Sequence, residues 1–195
     1  MIRVCVLGSI GSGKSFIAKL FKYPIFNADK EANYIYKKDK QCFKKLKKKL
    51  PEFIKTFPIK KRELINAIST NNKNLKIISS VVHPIVRRKM NNFLNKKKYS
   101  KIVILDIPLL IENKLNKKND ILIFIKAHKS KIISRLKRRK NFNKKIFEYL
   151  KQNQTALKKK ERLANYIVEN NFSYNIMQSK IKLIKKSILD ERNSS

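Results

Sequence analysis

The chain has 195 residues, enough for one α/β unit with inserted segments to bury a core without disulfides or structural metal. Its 49 basic residues against 13 acidic ones give a formal net charge of +36, which draws in anionic partners, and its two cysteines, Cys5 and Cys42, fit a reducing compartment rather than a disulfide framework. No apolar run approaches the length of a membrane span, and the N-terminus lacks a basic segment followed by a long apolar stretch and a small-residue cleavage site. The expectation is a cytoplasmic protein, neither secreted nor membrane-bound.

In chain order, Ile2-Arg3-Val4-Cys5-Val6-Leu7 reads as a buried strand and runs straight into Gly8-Ser9-Ile10-Gly11-Ser12-Gly13-Lys14-Ser15, which fits the phosphate-loop pattern G-x-x-x-x-G-K-S/T. Gly8, Gly11 and Gly13 let backbone N–H groups of the loop, Ser12 among them, turn inward toward an oxyanion. Lys14 would then reach the β- and γ-phosphates, and the Ser15 hydroxyl would ligate Mg²⁺. The apolar spacing of Ser15 to Phe21, including Phe16, supplies the helix that must leave such a loop. A nucleoside triphosphate is therefore the expected ligand.

Ile25-Phe26-Asn27-Ala28 reads as a short second strand, followed by Asp29. A carboxylate there can accept a proton from an attacking hydroxyl, hold Mg²⁺ through water, or cap the helix that follows. Residues 29–98 read as a helical insertion of lysine-rich amphipathic turns broken by Pro51, Pro58 and Pro84, with one doubtful strand over Leu75 to Val82. His83-Pro84 is placed at a helix start, with Arg87 one turn on, either as a structural turn or as part of a substrate site.

Two continuous apolar runs, Lys101 to Asp106 and Ile121 to Ile125, read as strands of a parallel sheet covered on both faces, and Asn165 to Glu169 as a shorter one. Asp106 ends the first of these, where open parallel sheets place their ligand crevice; it is either an outer-sphere Mg²⁺ ligand or part of a plain turn with Pro108 and Leu109. Helical patterns over Ser130 to Lys140 and Asn175 to Leu189 complete the alternation. The expected fold is an α/β parallel sheet of the P-loop NTPase type, wound with helices on both faces and carrying a helical insertion and a small lid. Arg135 and Arg139 share a helix face leading into the basic stretch Arg138 to Lys144, which reads as a lid over phosphates.

In this order the motifs resemble the dephospho-CoA kinase family: the phosphate loop, Ala28-Asp29, His83-Pro84 with Arg87, Pro108-Leu109-Leu110 with Glu112, Arg135 and Arg139, and Gln154 ahead of Arg162-Leu163-Ala164. The resemblance implies ATP and Mg²⁺ as nucleotide and metal, and phosphorylation of the ribose 3′-hydroxyl of dephospho-CoA. It implies that Gly8 and Gly11 to Phe16 hold the ATP phosphates, that Asp29 is the general base, and that Lys14 and Arg139 stabilise developing charge. Arg135 with Arg139 would bind the nucleotide, and His83, Arg87, Pro108 and Leu109 would lie on the CoA side. The implied division is a nucleotide-binding core over 1–28, 99–137 and 160–195, a CoA-binding insertion over 29–98, and a lid over 138–159. The family's Asp-Ala-Asp reads Asn27-Ala28-Asp29 here, its Thr after the loop serine is Phe16, its later Ala-Asp is Ala164-Asn165, and the loop before Asp29 holds Tyr23-Pro24 and no glycine.

Another small P-loop kinase is the nearest rival reading. A nucleic-acid-stimulated ATPase is a more distant one, because the lysines are spread along the chain among Asn and Ile instead of gathered with stacking aromatics. Nucleic-acid contact is expected only as nonspecific attraction to the positive charge. The oligomeric state is not legible.

Overall fold

The computed structural model describes residues 1–137 and 157–193. Five strands, β1 (Ile2–Gly8), β2 (Ile25–Asn27), β3 (Ile102–Asp106), β4 (Ile121–Lys126) and β5 (Tyr166–Glu169), form one all-parallel sheet in the order β2-β3-β1-β4-β5. The helices among the described residues are α1 (Lys14–Leu20), α2 (Ala28–Lys38), α3 (Lys40–Lys49), α4 (Lys61–Thr70), α5 (Asn72–Lys96), α6 (Lys129–Lys137), α7 (Leu157–Arg162) and α8 (Tyr174–Asn193). The chain divides into two compact units, one of residues 1–27, 97–137 and 157–193 and the other of residues 28–96.

The first unit holds the sheet. Alternate residues of its strands, Val4 and Val6, Ile102 and Ile104, Ile123 and Ile125, pack with Ile17, Ala18 and Phe21 around α1 and with Met177, Ile181 and Ile188 of α8. The intervening residues Cys5, Leu7, Val103, Leu105, Leu122 and Phe124 are buried as well. Both faces are therefore covered, which is why these strands read as continuous apolar runs and not as alternating ones. Burial of apolar area on both faces is the main force holding the sheet. Below the sheet's N-terminal end, Arg3 pairs with Asp120 at 3.0 Å and donates to the Leu115 carbonyl, which fastens the turn into β4. Burial beside Asp120 holds the Cys5 thiol far above its ordinary range.

Among the described residues of the second unit the regular elements, α2 to α5, are all helices. Ile35, Cys42, Leu46, Leu50, Ile54, Leu64, Ala67, Ile78, Val81 and Val82 make its core. Burial pushes the Cys42 thiol up to about 11. Asp39 caps α3 by accepting from Cys42 N–H at 2.8 Å, and Glu63 reaches back to Lys60 N–H at 3.3 Å across the first turn of α4. The stretch Leu75 to Val82, expected as a doubtful strand, is helical, and His83-Pro84 lies inside α5 and not at a helix start. The β-branched run Ile77-Ile78-Ser79-Ser80-Val81-Val82 mimics a strand, but Ile78, Val81 and Val82 fall at helical spacing and the unit's core claims them. No helix among the described residues is long and apolar enough to cross a membrane.

Candidate active site

The loop leaving β1 sits at the C-terminal edge of the sheet, beside the end of β3, where strand order switches direction. Gly8 has φ 142, and a Cβ there would lie 2.5 Å from the Ile125 carbonyl oxygen and 2.8 Å from Ser12 Oγ, so only glycine allows β1 to turn against β4 at this point. Gly11 rests against Ile132 and Leu136 of α6, Ser12 is buried, and Gly13 is the residue before α1. Phe16 N–H donates to the Gly13 carbonyl at 3.0 Å.

Lys14 is buried, and its Nζ donates to the carbonyl oxygens of Gly8 at 3.1 Å and Ser9 at 2.8 Å. The ammonium is thus held inside the curl of its own loop by acceptors that a phosphate oxygen can replace. Ser15 Oγ donates to Asp106 Oδ2 at 2.5 Å, and the Asn27 carboxamide donates to the same oxygen at 2.5 Å. The register explains the meeting, since Asn27 and Asp106 are partners at the ends of β2 and β3. A hydroxyl and a buried carboxylate converging in this way are hard oxygen donors suited to Mg²⁺, which commonly takes one or two protein ligands and keeps several waters. Among the described residues no group of three or more His, Cys, Asp or Glu could hold a metal ion by itself.

Sequence-predicted site residues divide between the units. Gly8, Gly11, Ser12, Gly13, Lys14, Ser15, Phe16, Asp106, Pro108, Leu109 and Arg135 belong to the sheet unit, and Asp29, His83 and Arg87 to the helical one. Pro108 and Leu109 are half-buried in the turn after β3. Asp29 is exposed in the first turn of α2, two residues past Asn27. His83 is half-buried, and burial followed by the nearby Arg87 guanidinium holds its pKa below the usual imidazole value, so the ring is neutral near pH 7. Arg87 is exposed one turn on. Arg139, Gln154 and most of the expected lid, 138–156, lie outside the described residues.

Three features were not anticipated from the sequence. Asn170, just past β5, donates from its side chain to the Ser12 carbonyl. Phe172, with φ 66, carries the Arg135 guanidinium over its ring at 4.3 Å, beside a cleft lined by Ser130, Lys131, Ser134 and Asn171. Lys160, 1% exposed at its side chain, pairs with Glu112 at 2.7 Å. The position of Asn170 at the C-terminal end of a parallel strand was the one available signal, since ligand crevices open there. At Asn165 the carboxamide oxygen accepts from Leu122 N–H at 2.8 Å, a role open to either an amide or a carboxylate oxygen.

Strand, glycine loop, buried lysine and a hydroxyl–carboxylate pair at the C-terminal ends of neighbouring parallel strands define a P-loop NTPase site. A solved protein from Thermus thermophilus has the same fold at a TM-score of 0.77, with 26% identity and 97% of each chain covered. The chain belongs to the dephospho-CoA kinase family, whose profile matches residues 2–175. A curated dephospho-CoA kinase from Wolbachia pipientis is 28% identical over 190 residues, covering 95% of this chain and 97% of the relative. The solved dephospho-CoA kinase from Campylobacter jejuni, at 21% identity, shares the fold with a TM-score of 0.66 over 97% of this chain and 98% of that one.

Proposed function

We propose that this chain transfers the γ-phosphoryl group of ATP to the ribose 3′-hydroxyl of dephospho-CoA, giving coenzyme A and ADP, the last step of coenzyme A synthesis. The observation that carries the reading is the Gly8–Ser15 loop with Lys14 inside it and Ser15 bonded to Asp106, in a chain whose family profile spans nearly its whole length. Phosphoryl transfer asks little covalent work of a protein; its rate comes from positioning and charge stabilisation. Backbone N–H groups between Gly11 and Phe16 hold the phosphates, and Lys14 exchanges the Gly8 and Ser9 carbonyls for phosphate oxygens. The Ser15 hydroxyl and the Asp106 carboxylate hold Mg²⁺, which neutralises phosphate charge when bound. Arg135 lies along the nucleoside, and Arg139 with Lys14 stabilises charge developing on the transferred group. Asp29 takes the proton of the attacking hydroxyl and orients its oxygen in line.

On the acceptor side, the helical segment 29–98 binds dephospho-CoA. The exposed Arg87 guanidinium suits its phosphates, and the neutral His83 ring offers a hydrogen bond without adding charge. Pro108 and Leu109 are assigned to acceptor binding and 138–159 to the lid, most of which lies outside the described residues. Two free, buried thiols, Cys5 and Cys42, support a reducing cytoplasmic location.

The test is an ADP-release assay with ATP and Mg²⁺ offering dephospho-CoA, AMP or no acceptor, with the product weighed by mass spectrometry. Product at the mass of coenzyme A is the expected result. Turnover with AMP but not with dephospho-CoA would keep the kinase and discard the acceptor.

A further inference from the structure

Asn170 follows the last residue of β5 and is 3% exposed. Its side-chain nitrogen donates to the Ser12 carbonyl at 2.8 Å, its side-chain oxygen accepts from Phe172 N–H at 2.9 Å, and its own N–H donates to the Lys126 carbonyl at 2.7 Å. One carboxamide thus joins the phosphate loop to the turn after β5. Gly13 shows how close the approach is: a Cβ there would lie 2.2 Å from Asn170 Nδ2 and 3.0 Å from the Phe172 ring. Phe172 has φ 66, a left-handed value that is unfavourable for an aromatic residue, and the Asn170 oxygen is bonded to the backbone N–H of that strained residue. Over the Phe172 ring lies the Arg135 guanidinium.

We propose that Asn170 is a positioning residue for the nucleotide, with one end of its carboxamide setting the phosphate loop and the other setting the Phe172–Arg135 stack. Triphosphate and nucleoside are thereby held in a single register. The inference rests on reading the Gly8–Ser15 loop as the ATP site. A purely structural Asn170 would cost stability when replaced but would leave substrate affinities alone.

Wild type, Asn170→Asp and Phe172→Ala are compared by steady-state kinetics and by calorimetric titration with ATP and with inorganic tripolyphosphate. Asn170→Asp keeps shape and acceptor but faces the buried Ser12 carbonyl with a second oxygen. A lost donor of this kind is expected to raise KM for ATP about tenfold, with tripolyphosphate affinity falling in step. KM for dephospho-CoA should remain within about twofold of wild type, since the change lies on the nucleotide side. Phe172→Ala is expected to weaken ATP and to spare tripolyphosphate. Folded Asn170→Asp with wild-type KM for ATP overturns the proposal whatever its melting temperature, and so does Phe172→Ala with unchanged ATP affinity. If Asn170→Asp does not fold, Asn170→Ala, which puts no second oxygen beside Ser12, is read by the same criteria. Wild type that binds no ATP would instead overturn the kinase reading itself.

Discussion

Lys14 and Asp29 answer to different parts of the reaction, and single substitutions separate them. Lys14 is buried inside the loop it serves, so Lys14→Ala removes the cation that faces the phosphates and is expected to abolish measurable ATP binding by calorimetry along with turnover. Asp29 is exposed and touches the chemistry only through the acceptor hydroxyl in the proposed mechanism. Asp29→Asn should therefore lower kcat by about 10²–10⁴-fold, the range of a general base, with ATP affinity retained; a variant within about threefold of wild-type kcat would remove Asp29 from that role. His83 makes a further prediction, about stability. Its folded pKa is lowered by burial and then by Arg87, so the unfolded chain binds the proton at a higher pH than the folded one. Stability is then unaffected by this group above about pH 6.5 and declines as pH falls below it. Urea unfolding at pH 7.5, 6.5 and 5.5 should show that decline in the wild type and a shallower one in His83→Gln.

Among the elements, α7 is tied to the turn after β3 by a buried ion pair. Lys160 Nζ sits 2.7 Å from Glu112 Oε1, with side-chain exposures of 1% and 14%. Removing the acid strands a desolvated ammonium, so Glu112→Ala is expected to lose about 3–5 kcal/mol in urea unfolding, while replacing both partners with Met should recover much of the loss. A Glu112→Ala protein as stable as wild type would show that water reaches Lys160. The strands were legible in the sequence because a sheet covered on both faces writes itself as unbroken apolar runs, Ile102 to Leu105 and Ile121 to Ile125 being the plainest. The phosphate loop was legible because its chemistry is local, eight consecutive residues between a strand and a helix. Leu75 to Val82 misled because propensity favours β-branched residues in strands while a helical core overrides it, and Pro84 misled because proline marks helix starts more often than helix interiors. The pairings Glu112–Lys160 and Ser12–Asn170 were not legible, although the place of Asn170 after a parallel strand pointed to the ligand edge: the latter contact spans 158 positions, and only the folded sheet brings its ends together.

At the scale of the whole molecule, a charge of +36 is expected to act on anionic substrates before they reach the site. Lysines crowd exposed faces, as on α3, where Lys40, Lys44, Lys45, Lys47, Lys48 and Lys49 are all solvated. A field of this sign raises the local concentration of every anion, and both proposed substrates are polyanions. The screening length falls from about 30 Å at 0.01 M salt to about 10 Å at 0.1 M, so the attraction should fade over that range while contacts inside the phosphate loop persist. The expected outcome is that kcat/KM for ATP and for dephospho-CoA falls several-fold as KCl rises from about 0.01 to 0.2 M, with kcat at saturation little changed. The same field is expected to attract nucleic acid without selecting a sequence, so added RNA should inhibit at low salt by competing for the surface and lose that effect as salt rises. RNA that instead accelerates ATP turnover, at any salt, would make the basic surface a regulatory site and not a collector of small anions. A kcat/KM independent of salt would mean that the lysines lie too far from the paths of both substrates to steer them.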